Sequence, residues 1–138
     1  MPGLPRAESR GGMSKPFYVY VAGPMTGQPN DYLANLARMS AYSRQFMDLE
    51  LCPINPAGDL LEGLASQAPL SDAAYKRRSM DLLRLLEGRP AALFVIATQH
   101  RSGIISSGVT AEIAEAERLH VPVVYNVGAL LAVKAGKS

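Results

Sequence analysis

Four short, strongly apolar runs divide the sequence into alternating segments. The runs cover 17–22, 50–54, 91–97 and 121–125, and the first is β-branched and aromatic, as buried parallel strands are. The segments around them carry apolar residues at helical spacing. They predict helices at 30–48, 71–87, 110–120 and 126–134, with a partly helical segment at 60–69. The alternation predicts an α/β fold: a three-layer, Rossmann-like or flavodoxin-like parallel sheet of four to five strands with right-handed crossovers.

Two loops of this predicted sheet are expected to be neighbours. The loop 23–27 follows the first strand and the loop 98–110 follows the third. Ligands bind at the carboxyl ends of the strands in open parallel sheets, so a pocket is expected between these loops. Gly23 and Gly27 would let the backbone approach a ligand closely, and a tight strand-to-helix turn is the alternative. Neither the dinucleotide-binding glycine spacing nor a Walker lysine is present.

The second of these loops runs into a helix through Ser106, Ser107, Gly108, Val109, Thr110, Ala111 and Glu112. Small hydroxyl residues and glycine before a helix suit a cap and an anion-binding turn. With the helix beginning near Thr110, Glu112 would lie in the first turn, where the helix dipole favours an ionised carboxylate near neutral pH. Such a carboxylate can act as a nucleophile or stabilise a sugar cation. Taken alone, the segment favours the alternative, a glutamate that only stabilises its own helix.

Composition narrows the class of protein further. At 138 residues the chain is long enough for one domain, and its net charge of +2 without a basic stripe argues against nucleic-acid binding. Cys52 is the only cysteine, and His100 and His120 lie in different elements, so neither a disulfide nor a metal site is indicated. We predict no cofactor.

The two ends of the chain do not indicate a membrane protein. No apolar run approaches the length of a membrane span, and the N-terminus lacks the apolar segment of a signal peptide, so a cytoplasmic protein without a membrane partner is expected. The segment 1–15 is rich in Gly, Pro, Ser and Arg. It is predicted to be a disordered leader, with Met13 as the expected native start, ahead of a single domain at 16–138.

Two further polar residues have competing interpretations. Asp81 stands four and three residues after Arg77 and Arg78, so a solvated ion pair is its default explanation. Asn55 precedes a proline at the end of the second strand, where it either faces the ligand cleft or serves the turn. The pattern alone gives these two roles of Asn55 equal weight.

Four ordered segments resemble a known superfamily. They are Tyr20-Val21-Ala22-Gly23-Pro24-Met25, Ile54-Asn55-Pro56-Ala57, Tyr75-Lys76-Arg77-Arg78-Ser79-Met80-Asp81, and Ser106 through Glu112. Together they resemble the nucleoside 2-deoxyribosyltransferase-like superfamily. This group includes the transferases, the 2'-deoxynucleoside 5'-phosphate N-hydrolases and small phage-type relatives. The four segments span nearly the whole chain after the leader.

The resemblance implies a function and a set of site residues. Glu112 falls on the nucleophile, Asp81 on the acid near the departing base, and Tyr20 on the tyrosine that positions the glutamate. The implied substrate-binding residues are Gly23, Pro24, Met25, Asn55, Ser106, Ser107 and Gly108. In the nucleotide hydrolases the position of Ser106 contacts phosphate, whereas the transferases carry an acid there.

The implied activity is cleavage, by hydrolysis or transfer, of the N-glycosidic bond of a nucleoside 5'-monophosphate or deoxynucleoside. The implied assembly is a homo-oligomer, a dimer or higher. One conflict remains within the implied mechanism: an acid at Asp81 needs a raised pKa, which Arg77 and Arg78 would lower unless they point away. A non-catalytic nucleotide-binding module of the same fold is the alternative function.

Overall fold

Strands and helices alternate along the chain in the predicted order. The computed structural model describes residues 15–25, 29–66, 72–100 and 102–136. The elements are β1 (Tyr18–Ala22), α1 (Pro29–Asp48), β2 (Cys52–Ile54), α2 (Gly58–Ser66), α3 (Asp72–Arg84), β3 (Ala91–Val95), α4 (Ser107–Arg118), β4 (Val123–Val124) and α5 (Val127–Lys134). The predicted leader, Gly27, Ser71 and Arg101 lie outside the described residues.

The strands form one parallel sheet in the order β2-β1-β3-β4. Strand β1 lies inside it, with Tyr20 opposite Ile54 on one side and Leu93 on the other. Five residue pairs join β1 to β3, from Tyr18 with Ala91 to Ala22 with Val95. The α/β class and the parallel sheet predicted from the sequence are therefore confirmed, with four strands in the described part of the chain.

Successive side chains of the central strands point to opposite faces and so build two apolar layers. On one face, Tyr20 and Leu93 pack with Leu83 of α3 and Val109 of α4. The other layer packs against α1 and α5 and includes Val19, Val21, Met39, Phe46, Phe94 and Leu130. Both layers are needed because a parallel sheet is apolar on both faces. Met39 and Phe46 are core residues, as their spacing predicts.

Helix α4 begins three residues earlier than predicted. Ser106 is its N-cap, and the Ser106 side chain accepts a hydrogen bond from the Val109 backbone N–H at 3.2 Å. Thr110, the expected start, instead donates its hydroxyl to the Ser106 carbonyl oxygen at 2.9 Å. Because the helix starts at Ser107, Glu112 lies in its second turn. The sequence predicted that it would lie in the first turn.

The long loop after β3 has its own hydrogen-bonded structure. Gln99 and Ile105 form an antiparallel bridge, and the Ser106 N–H donates to the Thr98 carbonyl oxygen at 2.9 Å. Gly103 turns the hairpin with a φ of 91°, a value that suits glycine. The hairpin presents Ile104 and Ile105 to solvent.

Within residues 15–25, 29–66, 72–100 and 102–136, no helix has both the length and the apolar character that crossing a membrane requires.

Gly23 has a packing role that can be tested by one added methyl group. A Cβ at this position would lie 2.7 Å from Ile96 Cγ1 and 3.3 Å from Met39 Sδ. We expect Gly23→Ala to lower the free energy of unfolding by about 1–3 kcal/mol, because overpacking displaces the Ile96 side chain. Urea denaturation measures the change. Gly58→Ala is the matched control, since nothing lies within 4 Å of its added Cβ; equal stability of the two variants would contradict this role.

Candidate active site

The candidate site lies where β1 and β3 end side by side. Ala22 and Val95 are paired at the last step of the ladder, and the Ile96 N–H donates to the Ala22 carbonyl oxygen at 2.9 Å. The chain leaves β1 through Gly23 and leaves β3 toward the hairpin that precedes α4. The two loops predicted from the sequence therefore do begin at adjacent strand ends.

A hydrogen bond joins Tyr20 to Glu112 across 92 positions of sequence. The Tyr20 hydroxyl donates to Glu112 Oε2 at 2.5 Å. Tyr20 has no exposed surface, because its ring is packed between β1 and the helices α3 and α4. Glu112 is half-buried on α4. The structure thus brings together two of the three residues to which the resemblance assigns catalytic roles.

The Tyr20–Glu112 pair has unusual acid–base properties because it is buried. Burial raises the pKa of Glu112 to about 7, and the hydrogen bond from Tyr20 partly opposes that rise. Burial, and next the charge of Glu112, raise the pKa of Tyr20, so Tyr20 remains a neutral donor. The sequence predicts that Glu112 stays ionised near neutral pH, whereas with a pKa of about 7 it is only partly ionised there. The benefit of the helix dipole is confined to the first turn, and Glu112 lies beyond it.

Asp81, the third catalytic candidate, points to solvent. Its side chain is 65% exposed and pairs with Arg84 at 3.3 Å, one turn later on α3. The expected partner Arg78 instead turns toward α2, where it contacts Asp59 at 2.5 Å and Glu62 at 3.1 Å. Arg78 therefore points away from Asp81, and Arg84 takes its place as the cation beside that carboxylate. The assignment of Asp81 as the acid near the base stays a prediction.

Three of the predicted substrate-binding residues directly follow β1, and packing and one hydrogen bond hold them in place. Gly23 lacks the Cβ that Ile96 would meet, so its packing explains the glycine without a ligand. Pro24 is fully buried, and its carbonyl oxygen accepts a hydrogen bond from Asn35 Nδ2 at 2.5 Å. Met25 is half-buried against the layer that contains α1. Asn35, which the sequence analysis did not single out, anchors this segment to α1.

Asn55 performs the turn role that the sequence left open. Its Oδ1 accepts a hydrogen bond from the Ala57 N–H at 3.1 Å, and its Nδ2 donates to Ser40 Oγ at 3.5 Å. An asparagine that bonds the backbone two residues later stabilises a local turn. Its predicted contact with substrate stays a prediction.

The start of α4 supplies the predicted polar residues in a different geometry. Ser106 is 4% exposed and acts as the helix cap, whereas a helix beginning near Thr110 would have placed it outside the capping position. Ser107 is exposed and Gly108 is half-buried. Backbone N–H groups in a first helical turn lack intrahelical partners and can bind an anion. Arg101, a basic residue of the loop before α4, lies outside the described residues.

The residues predicted for the site do not include Ser79 of α3. Ser79 stands one turn before Leu83, which is fully buried, so it lies on the packed face of α3. It is half-buried, and it partly opposes the rise in the pKa of Tyr20. A serine four residues before a buried leucine was the signal that could have identified it.

The described residues offer no metal site. Nowhere in this part of the chain do three or more His, Cys, Asp or Glu side chains form a group that could hold a metal ion.

Comparisons with protein-family models, curated proteins and solved structures found no match to this chain.

The raised pKa of Glu112 makes stability depend on pH. In the folded protein Glu112 keeps its proton up to about pH 7. In the unfolded chain its carboxyl has the ordinary pKa of 4.5 and loses the proton at lower pH. We therefore expect the free energy of unfolding to fall between about pH 4.5 and 7, by up to about 3 kcal/mol from this group. Denaturation by urea at a series of pH values measures the slope.

Two variants distinguish the contribution of Glu112 to this pH dependence from the contributions of other carboxyl groups. Glu112→Gln, which resembles the protonated form, should remove this part of the slope. Glu115→Gln should keep it, because Arg118 and Arg84 lower the pKa of Glu115 to about 2, outside the range concerned. A slope that is identical in wild type and Glu112→Gln would refute the assignment.

Proposed function

We propose that this protein cleaves the N-glycosidic bond of a nucleoside 5'-monophosphate or deoxynucleoside, with Glu112 as the nucleophile. The observation that carries the proposal is the hydrogen bond from the buried Tyr20 hydroxyl to Glu112 Oε2. In the superfamily that the sequence resembles, a tyrosine on the first strand positions the nucleophilic glutamate. Here the two matching residues are in contact between β1 and α4, and ligands bind beyond the carboxyl ends of the strands in this class of fold.

The proposed chemistry uses the two oxygens of Glu112 differently. Tyr20 holds Oε2, which leaves Oε1 to attack C1' of the sugar. The new Oε1–C1' bond forms as the C1'–N bond breaks, and the electron pair of that bond leaves with the base, as in retaining glycosidases. Water or a second base then attacks C1' and releases Glu112, giving hydrolysis or transfer. Because the pKa of Glu112 is about 7, a large share of the protein carries the required carboxylate at neutral pH.

The departing base needs a proton, and Asp81 is the candidate donor. In the free protein Asp81 is paired with Arg84, which binds the ionised and not the protonated carboxyl. Proton donation therefore requires Asp81 to separate from Arg84 when substrate binds. Its 65% exposed side chain is free to rotate in this way.

A 5'-monophosphate is the preferred substrate in this proposal. The first turn of α4 offers backbone N–H groups, and the exposed Ser107 adds a hydroxyl. Ser106 uses its oxygen as the helix cap, and a serine that accepts one hydrogen bond can still donate its own proton. An acid at this position, as in the transferases, would repel a phosphate.

The second candidate function is a nucleotide-binding module without catalysis. The ion pair between Asp81 and Arg84 favours it, since it withdraws the proton donor from the site. A cytoplasmic homo-oligomer remains the proposed form of the protein under either function. The exposed Ile104 and Ile105 on the hairpin before α4 suit a contact between subunits.

Activity is tested with a panel of nucleoside 5'-monophosphates and nucleosides, with chromatography to detect free base. We expect the wild type to release base and Glu112→Ala to lose at least about 10³-fold in rate, since no other group replaces the nucleophile. Glu117→Ala, a change at an exposed glutamate of the same helix, is the control. Undiminished turnover by Glu112→Ala would overturn the proposed role. Thermal stabilisation by a nucleotide without base release would favour the binding module.

The phosphate preference is tested at Ser106. Aspartate and asparagine both cap helices well, so Ser106→Asp and Ser106→Asn should fold alike and differ only in charge. We expect Ser106→Asp to lose about tenfold or more of the preference for the monophosphate over the free nucleoside, as measured by kcat/KM, and Ser106→Asn to retain more of it. Equal use of both substrates by the wild type would exclude the preference.

A further inference from the structure

The order of the strands creates a crevice at the carboxyl edge of the sheet. The neighbouring strands β1 and β3 continue into helices on opposite faces, because α1 packs against one face and α4 against the other. The chain after β1 returns to β2 on one side, whereas the chain after β3 proceeds to β4 on the other side. Ligands of open parallel sheets bind in the crevice at such a reversal.

Helix α1 forms one wall of this crevice. Its Asn35 donates through Nδ2 to the carbonyl oxygen of Pro24, just past the end of β1. Asn35 is therefore level with the sheet edge, and the helical turns before it extend beyond that edge. Arg38 comes one turn after Asn35 and next to the fully buried Met39, so its side chain starts at the border of the packed face.

Arg38 crosses from this wall to the end of β3. Its Nη2 donates to the carbonyl oxygen of Ile96 at 3.4 Å, and Ile96 directly follows β3. A hydrogen bond of this length is weak, since such bonds are usually about 2.9 Å long. A guanidinium has five N–H donors. Because Arg38 is exposed, its remaining donors are accessible to a ligand.

The absence of an acid partner distinguishes Arg38 from other arginines of the helices. Exposed arginines elsewhere bind carboxylates; they are Arg44, Arg78, Arg84 and Arg118. Within residues 15–25, 29–66, 72–100 and 102–136, no carboxylate forms an ion pair with Arg38, whose contact there is the Ile96 carbonyl. A guanidinium with its charge uncompensated attracts an anion, and its planar donors match the oxygens of a phosphate.

Two hydrogen bonds place Arg38 close to the start of α4. The Ile96 carbonyl accepts from Arg38, and the Thr98 carbonyl accepts from the Ser106 N–H at 2.9 Å. From Ile96 to Thr98 the chain can span at most about 7 Å. The guanidinium and the N-cap of α4 therefore lie along one short stretch of the crevice. The first turn of α4 offers N–H groups with a partial charge, and Arg38 adds a full positive charge.

We propose that Arg38 binds the phosphate of a nucleoside 5'-monophosphate from the α1 side of the crevice, opposite the start of α4. The identity of the substrate rests on the proposed function. Glu112 lies about 7 Å further along α4 than Ser107, so the phosphate and the reacting sugar carbon occupy different parts of the crevice. Arg38 therefore acts in binding and takes no part in breaking the glycosidic bond.

The experiment measures binding to the full-length protein by calorimetry, in a Glu112→Gln background so that no substrate is consumed. The probes are a deoxynucleoside 5'-monophosphate, the matching nucleoside and inorganic phosphate. We expect Arg38→Gln to weaken binding of the monophosphate about tenfold or more, and binding of the nucleoside less than about twofold, because a charge-assisted contact is lost. Arg38→Lys keeps the charge without the planar donors and should lose less than Arg38→Gln.

The matched control is Arg44→Gln. It removes the same charge from the same helix, at an arginine that pairs with Asp48 at 3.4 Å. Both arginines are exposed, so both variants should fold as the parent protein does. Arg44→Gln should bind the monophosphate as the parent does, which distinguishes a local contact from an effect of net charge.

Three results would overturn the proposal. One is an equal loss of monophosphate binding in Arg38→Gln and Arg44→Gln. Another is an equal loss of monophosphate and nucleoside binding in Arg38→Gln, or no binding of the monophosphate by the parent protein. The third is inorganic phosphate that binds as tightly as the nucleotide, which would identify a site for free phosphate.

Kinetics separate this proposal from the proposed function. If the wild type releases base, Arg38→Gln should raise KM for the monophosphate about tenfold while kcat stays within about threefold, since a contact made equally in the ground state and transition state is lost. A lower kcat with an unchanged KM would overturn the binding role. Absence of base release would refute the proposed function, whereas the binding comparison would still decide the role of Arg38.

Discussion

Desolvation of one carboxyl group is the constraint on which the candidate site depends. Glu112 lies on α4 beside a fully buried tyrosine of β1, and its charged form loses hydration there. The fold compensates with a single short hydrogen bond from Tyr20, and the pKa of Glu112 still rises to about 7. A carboxyl that served only helix stability would be placed in the first turn and exposed to water, where the dipole stabilises its charge.

The position of Tyr20 within the sheet explains why the hydrogen bond can be so short. Tyr20 lies on β1, which is paired on both sides, so its backbone is fixed by two ladders. Its ring is enclosed by Leu83 and Val109, which come from the two helices above it. A side chain with no freedom to move holds its hydroxyl at one point in space, which is the requirement for a positioning group. The same packing leaves the Tyr20 side chain with no surface exposed to water.

The sequence was sufficient for the fold because its signals are local and strong. The apolar runs predict the four strands of the described chain, and the segment 126–134 predicts the last helix, which Asn126 caps. Each of these signals depends on a few neighbouring residues. The start of α4 was misplaced because Ser106, Ser107 and Thr110 are all acceptable caps. Which of them caps the helix depends on which hydroxyl reaches a free backbone N–H group. In the structure Ser106 Oγ reaches Val109, and Thr110 bonds back to the Ser106 carbonyl.

The misassigned ion pair on α3 shows why the site was harder to predict than the fold. Asp81 has Arg77, Arg78 and Arg84 at three- or four-residue spacing, so the sequence offers three equivalent partners. Helix α2 determines the pairing, because its Asp59 and Glu62 bind Arg78. Asp81 then pairs with Arg84. Helix α3 therefore carries two sets of polar groups with different surroundings. Its exposed cations exchange partners at little cost, because exposed pairs contribute little to stability. Ser79 lies on the packed face, one turn before the fully buried Leu83, so its surroundings are set by the apolar layer and not by solvent.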